Sequence, residues 1–290
     1  MLAGIDVLEQ DGFKALSGRR VGLVTNLSCL NRRGETTLDV IRRAPRVTLA
    51  AVFTPEHGLE AKLDEKVASG GHDVLGVPVH SLYGASLRPS PAQLTGLDAL
   101  VVDLPDIGAR FYTYPATLGY CLEEAARVGI EVFVLDRPNP ITGLQVEGPT
   151  LPRERFGFTG YAALPVRHGM TLGELGRLFN ARHRIGARLT VIPMKGWQRW
   201  MWFDQTGLPW ANPSPNMRSL TQAILYPAVG LLEATNLSVG RGTDAPFERF
   251  GAPWLDGTRV AGELNARGLP GVRFYPAAFT PASGPFATER

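Results

Sequence analysis

A carboxylate held between a proline and a glycine just past an apolar run is a candidate proton donor. This chain carries one at Thr54-Pro55-Glu56-His57-Gly58. Burial of such a group at a crevice favours its neutral form and suits it to general acid catalysis. The bland alternative for Glu56 is a helix cap or a surface ion pair. A second cluster runs from Asp103 to Tyr114 and packs Asp103, Asp106, Arg110, Tyr112 and Tyr114 into one loop. Paired carboxyl groups are the machinery of glycoside hydrolysis, so Glu56, Asp103 and Asp106 are candidate catalytic residues. Tyrosine and arginine can fix a sugar or a carboxylate by stacking and bidentate hydrogen bonds. Asp103 could equally pair with an arginine and merely shape the loop.

Three further clusters carry polar side chains. Asp136-Arg137-Pro138-Asn139-Pro140 is a rigid turn in which Arg137 and Asn139 serve either a ligand or the loop itself. His168-Gly169-Met170 stands just before a helix, where a lone histidine is more often structural than functional. Glu233 to Thr243 places glycines on both sides of Arg241, which allows close backbone approach to a ligand. Arg241 is thus a candidate for an anionic group, or else an exposed arginine on a tight turn. His57, His72, His80, His168 and His183 show no metal-ligand spacing, and Cys29 and Cys121 form no CxxC pair. No metal site and no cofactor are expected.

These clusters need a scaffold that brings them together. Four short apolar runs, Arg20–Thr25, Val47–Phe53, Leu97–Val102 and Ile130–Leu135, precede Asn26, the Glu56 turn, the Asp103 loop and the Asp136 turn. Such runs without alternation, separated by helical segments, predict buried strands of a parallel sheet. In an open α/β sheet the strand C-termini share one edge, and ligands bind there. The spacing predicts helices over Gly34 to Ala44, after Ser90-Pro91-Ala92-Gln93, over Ala116 to Val128 with Gly129 as C-cap, and after Thr171-Leu172-Gly173-Glu174. The expectation is an α/β domain over 1–150 and a smaller α+β substrate-binding domain over 151–290. All five tryptophans fall in the later part; some could offer sugar-stacking faces, and most are expected in a core between domains. Val272 to Pro276 looks like a strand.

Composition excludes several classes. Of 290 residues, 44% are apolar and 20% charged, and the net charge is only +3. That is ordinary for a globular protein, and the scattered basic residues leave no nucleic-acid footprint. No run is long enough to span a membrane, and the N-terminus has no basic leader, so a cytoplasmic location is expected unless a signal was removed. No GxGxxG follows the first strand, which counts against a nucleotide-dependent enzyme.

Taken in order, the blocks resemble the exo-β-N-acetylmuramidase (NamZ-like) family, long catalogued as a family of unknown function. They are Gly22-Leu-Val-Thr-Asn26, Phe53-Thr-Pro-Glu-His-Gly58, Val79-His-Ser-Leu-Tyr-Gly84, Asp106 through Tyr114, Leu135 through Pro140, Val146-Glu-Gly-Pro149, Arg167-His-Gly-Met-Thr171, Ser214-Pro-Asn216-Met217, Glu233 through Thr243, Pro246-Phe247, and Gly251-Ala-Pro-Trp254. The resemblance implies a Rossmann-like domain with a smaller domain and an active site in the cleft between them. It implies release of N-acetylmuramic acid from the non-reducing end of peptidoglycan fragments, with Glu56 matching the family's catalytic glutamate. His57, Arg110, Tyr112, Tyr114, Arg137, Asn139, His168, Asn216, Glu233 and Arg241 are the expected substrate-binding residues. The lactyl ether of muramic acid adds a carboxylate whose recognition calls for a cation. Two departures stand out. Ala61 occupies a position where glycine is more usual. Family members also continue past Phe279-Thr280-Pro281, so part of the smaller domain is expected to be missing, with self-association covering the gap. The alternative function is a non-catalytic binder of cell-wall fragments.

Overall fold

The computed structural model describes residues 1–62 and 76–287. They form two compact units, Met1–Leu220 and Thr221–Arg290. The first is built on strands β1 (Arg20–Val24), β2 (Thr48–Thr54), β3 (Val79–Ser81), β4 (Ala99–Val102), β5 (Glu131–Leu135) and β6 (Arg188–Ile192). They make one parallel sheet in the order β3-β2-β1-β4-β5-β6. The chain winds outward from β1 to β3 and then returns to place β4 on the other side of β1. The order therefore reverses between β1 and β4, where a crevice opens beyond the strand ends.

Each helix starts where its cap chemistry dictates. Helix α1 spans Gly4–Gln10. Helix α2 (Thr37–Arg42) begins at Thr36, whose hydroxyl accepts the Asp39 N–H. It is shorter than the expected 34–44 because Gly34 closes a turn on Asn31 instead. Helix α3 (Pro91–Leu94) and helix α5 (Leu172–Arg182) both open on full capping boxes, Ser90 with Gln93 and Thr171 with Glu174. Helix α4 (Tyr114–Val128) ends on Gly129 in the left-handed conformation.

Strand alternation splits the core into two layers. Val21, Leu23, Val101, Phe133 and Leu135 pack with Ile5 and Leu8 of α1 and Val40 and Ile41 of α2. On the other face Val134 and Leu189 approach Gly176 of α5, which also packs against α4. The near-continuous burial of β1, β4 and β5 is what helices on both faces require.

The structure departs from the expected division near residue 150. Residues 151–220 give α5 and β6 to the first unit, because β6 pairs with β5 along its whole length. Four of the five tryptophans, Trp197, Trp200, Trp202 and Trp210, therefore belong to the first unit. None of the five is fully buried, and Trp200 and Trp254 are exposed. The second unit holds α6 (Leu220–Val229), α7 (Gly257–Ala266) and an antiparallel bridge between Ser238 and Gly251. Val272 to Pro276 is not a strand. The Asn265 side chain takes both backbone hydrogen-bonding groups of Phe274, at 2.9 and 2.8 Å, in place of a ladder.

Candidate active site

The turn after β2 fixes Glu56. Gly58 N–H donates to the Pro55 carbonyl at 3.1 Å, and His57 has φ +73°. A positive φ at the third residue of a turn usually belongs to glycine, so a histidine there stores backbone strain, of order 1–3 kcal/mol. Ala61 lies in the same left-handed region at φ +55°, which explains why glycine is the more usual residue there. The Leu27 N–H donates to the Leu59 carbonyl at 2.8 Å and ties this turn to the segment after β1. Glu56 is half-buried, and its Oε2 accepts the Thr113 hydroxyl at 2.6 Å. Thr113, just ahead of α4, is the partner that sequence reasoning missed. It sits inside the expected loop, but nothing local marks which hydroxyl reaches Glu56.

Next to it, Tyr114 is fully buried. Its hydroxyl donates to the Pro213 carbonyl at 2.6 Å and accepts from Asn26 Nδ2 at 2.8 Å. Burial pushes its phenol pKa well above the usual value. Asn26 Oδ1 in turn takes the Ser28 N–H at 3.1 Å and the Ser28 hydroxyl. Tyr112 packs edge-on against Tyr114 and is also buried. Both phenols thus build the wall of the site and present little surface to a sugar.

Asp106 sits in the loop after β4, and Gly108 supports it. The Gly108 N–H donates to Asp106 Oδ2 at 3.0 Å. A Cβ at Gly108 would lie 2.5 Å from Asn139 Oδ1, so only glycine fits there. His168 Nδ1 accepts the Met170 N–H at 3.2 Å. Its ring proton therefore resides on Nε2, which lies 3.1 Å from Asp106 Oδ2. Asp106 Oδ1 is buried and has no protein partner. Strand order puts Glu56, after β2, and Asp106, after β4, on either side of β1 at the C-terminal edge.

Other expected site residues turn out to be engaged elsewhere. Asp103 is fully buried, and both carboxylate oxygens are clasped by Arg137, with Thr37 on the second. That leaves it no oxygen to offer a substrate, against the expectation of a catalytic role. Burial opposes the Arg137 charge, but Asp103 beside it raises the guanidinium pKa overall. Arg137 also donates to the Leu30 carbonyl at 2.8 Å, so it is a structural cross-link more than a substrate cation. Asn139 spends its amide on the Met170 carbonyl and the Ile141 N–H. Arg110 Nη1 donates to the Pro149 and Leu164 carbonyls at 2.6 and 2.7 Å. Asn216 is buried in the first unit. Glu233 and Arg241 belong to the second unit and pair with each other at 2.5 Å.

Asp136 receives hydrogen bonds from Gly173 N–H, Thr171 hydroxyl and Arg137 N–H at 2.8, 2.9 and 3.1 Å, and so anchors the start of α5. Burial pushes its carboxyl group up from 3.8 to about 6, against those hydrogen bonds. Cys29 is buried, with its thiol pushed up to about 12, so it is inert. His72 lies outside the described residues. Among the described residues no three His, Cys, Asp or Glu side chains gather as a metal-binding group. No helix among them is long and apolar enough to cross a membrane.

The family description "Exo-beta-N-acetylmuramidase NamZ, N-terminal" matches residues 21–221, and its C-terminal counterpart matches 224–290. The two matches meet where the compact units divide. The peptidoglycan beta-N-acetylmuramidase NamZ of Bacillus subtilis (strain 168) is 46% identical over 280 residues, covering 96% of this chain and 68% of the relative. A crystal structure of a DUF1343 family protein from Bacteroides fragilis superposes with a TM-score of 0.91 at 38% identity, over 99% of this chain and 74% of that one. A second such protein from the same organism gives 0.78 at 31% identity, over 99% and 72%. Both family matches, in order and over nearly all of this chain, place it in the exo-β-N-acetylmuramidase NamZ family.

Proposed function

We propose that this protein is an exo-acting glycosidase that releases N-acetylmuramic acid from the non-reducing end of peptidoglycan fragments. The observation that carries the catalytic assignment is Glu56, held on a strained turn at a strand C-terminus and oriented by Thr113. In this reading Glu56 protonates the glycosidic oxygen as the bond to the leaving sugar breaks, and then accepts a proton from the incoming water. Asp106 is the second carboxylate, held by Gly108 N–H and faced by His168. Asp103, Arg137, Tyr114 and Asn139 act as the frame that fixes these two loops.

A chromogenic β-glycoside of N-acetylmuramic acid tests the assignment. Turnover is expected, with free N-acetylmuramic acid released one residue at a time from peptidoglycan fragments. Binding of those fragments without turnover would favour a non-catalytic binder instead.

A further inference from the structure

A row of aromatic rings starts at the strand end next to Glu56. Thr54 and Ser81 are the last paired residues of β2 and β3, and the Leu82 N–H donates to the Thr54 carbonyl at 2.8 Å. Glu56 and Tyr83 each follow two residues later, on neighbouring strand ends. Tyr83 and Phe158 have ring centroids 5.7 Å apart at an interplanar angle of 21°. Phe158 and Tyr120 are 6.4 Å apart at 11°. Rings overlaid face on face would be closer, so these are displaced sideways and form a row. Tyr120 belongs to α4, two turns beyond Thr113 on the same side of the helix and about 10 Å further along it. Thr113 holds Glu56, so the row leads away from Glu56 along α4.

The row is not built like a core. All three rings are half-buried. Phe158 stands on a tight turn closed by reciprocal hydrogen bonds between Gly157 and Gly160 at 3.0 and 3.1 Å, a place where small polar residues are the rule. Polar groups border the far end. The Arg88 guanidinium lies over the Tyr120 ring at 4.1 Å and pairs with Glu123, which also accepts the Tyr161 hydroxyl at 2.6 Å. Apolar faces gathered on a surface and rimmed by hydrogen-bonding groups mark a ligand groove. Flat apolar faces with polar groups at their edge suit sugar rings, which pair C–H faces with a rim of hydroxyl and amide groups.

We infer that this row is the leaving side of the active site: Tyr83 receives the sugar that departs, and Phe158 and Tyr120 receive the glycan chain behind it. The inference rests on the glycosidase reading and adds to it the direction in which the substrate lies. A general acid stands at the glycosidic oxygen, between the released sugar and the departing one, and the second carboxylate serves the released sugar. Glu56 follows β2 and Asp106 follows β4, with β1 between them. The released sugar therefore sits between the two carboxylates, and the departing chain runs past Glu56 on the side away from Asp106. That side is the β3 edge, where the row begins. Trp200, exposed on the segment after β6, lies toward the opposite edge.

Chain-length dependence tests this in the whole protein. The substrates are a disaccharide and a tetrasaccharide of alternating amino sugars, each with N-acetylmuramic acid at the non-reducing end. The wild type is expected to favour the tetrasaccharide in kcat/KM by about fivefold, the worth of one ring contact. Tyr120→Leu keeps apolar bulk without a flat face and is expected to bring that ratio close to one. Tyr83→Leu should raise KM for both substrates and leave the ratio standing. Trp200→Leu should also leave the ratio standing. Circular dichroism and melting temperature identify variants that fold. A wild-type ratio of one, or a folded Tyr120→Leu variant that keeps the full ratio, overturns the proposal. So does a ratio that falls with Trp200→Leu instead, which would put the departing chain beyond β6. If the wild type cleaves no muramic acid glycoside of any length, the glycosidase reading itself falls.

Discussion

Thr113 and Glu56, 57 residues apart in sequence, meet in a 2.6 Å hydrogen bond that joins the start of α4 to the turn after β2. The hydroxyl leaves one carboxyl oxygen of Glu56 committed and the other to act. A hydrogen bond to such a group is worth about 1.5 kcal/mol or more, roughly tenfold in rate. Thr113→Val is expected to lower kcat about tenfold with KM little changed, and Thr113→Ser to restore most of it. Equal kcat values for the valine and serine variants would show that Thr113 does not orient Glu56.

Glu56→Gln should remove turnover by roughly 10²–10⁴-fold, the usual worth of general acid–base catalysis. The melting temperature and binding of N-acetylmuramic acid should be nearly unchanged. A purified, folded variant with close to wild-type activity would remove Glu56 from the mechanism.

The Asp103–Arg137 pair makes a claim on stability. Arg137→Met leaves a fully buried carboxylate without its cation. Breaking such a pair costs about 3–5 kcal/mol. Urea unfolding of the variant should show a loss of that size. A loss below about 1 kcal/mol would mean that the pair is not what locks the loops after β4 and β5.

Asp136 sets a pH window. Its carboxyl group is raised in the folded protein from 3.8 to about 6, first of all by burial. The folded state therefore holds a proton that the unfolded state has released, and stability falls as pH rises from about 4 to about 6. The size is on the order of 3 kcal/mol. Asp136→Asn keeps the acceptor for Gly173 N–H and is expected to flatten that part of the stability-versus-pH curve. Parallel wild-type and variant curves between pH 4 and 6, followed by chemical denaturation, would contradict the shift.

The sheet was legible where strands are buried on both faces. The runs before Asn26, Glu56, Asp103 and Asp136 became β1, β2, β4 and β5 within a residue or two. Strand β3 is too short, at Val79–Ser81, to leave a pattern. Strand β6 is only partly buried at the sheet edge, and its Arg-Leu-Thr-Val-Ile run is β-rich but lacks the fully apolar stretch that marks the central strands. Both capping boxes appear as expected, because a cap is a contact three residues long.

The site was legible only in outline. Sequence could say that Glu56, Asp103, Asp106 and Asp136 reach one edge, since strand ends dictate it. It could not say which of them would be spent on the frame. That depends on partners brought from afar, such as Arg137 for Asp103 and Gly173 for Asp136. It depends equally on partners that fail to arrive, as at Asp106 Oδ1.

The placement of β1 inside the sheet governs how the chain can reach this structure at all. Val21 to Val24 must pair with β2 on one side and with Ala99 to Val102 on the other. A nascent chain that ends before Ala99 therefore carries an open apolar edge with nothing yet synthesised to close it. Parallel pairings between distant segments form slowly, and half-built sheets stick to one another. Recovery from denaturant should accordingly be limited by protein concentration during refolding rather than by the final free energy. Dilute, chaperone-assisted refolding should return far more active protein than rapid concentration of the same material.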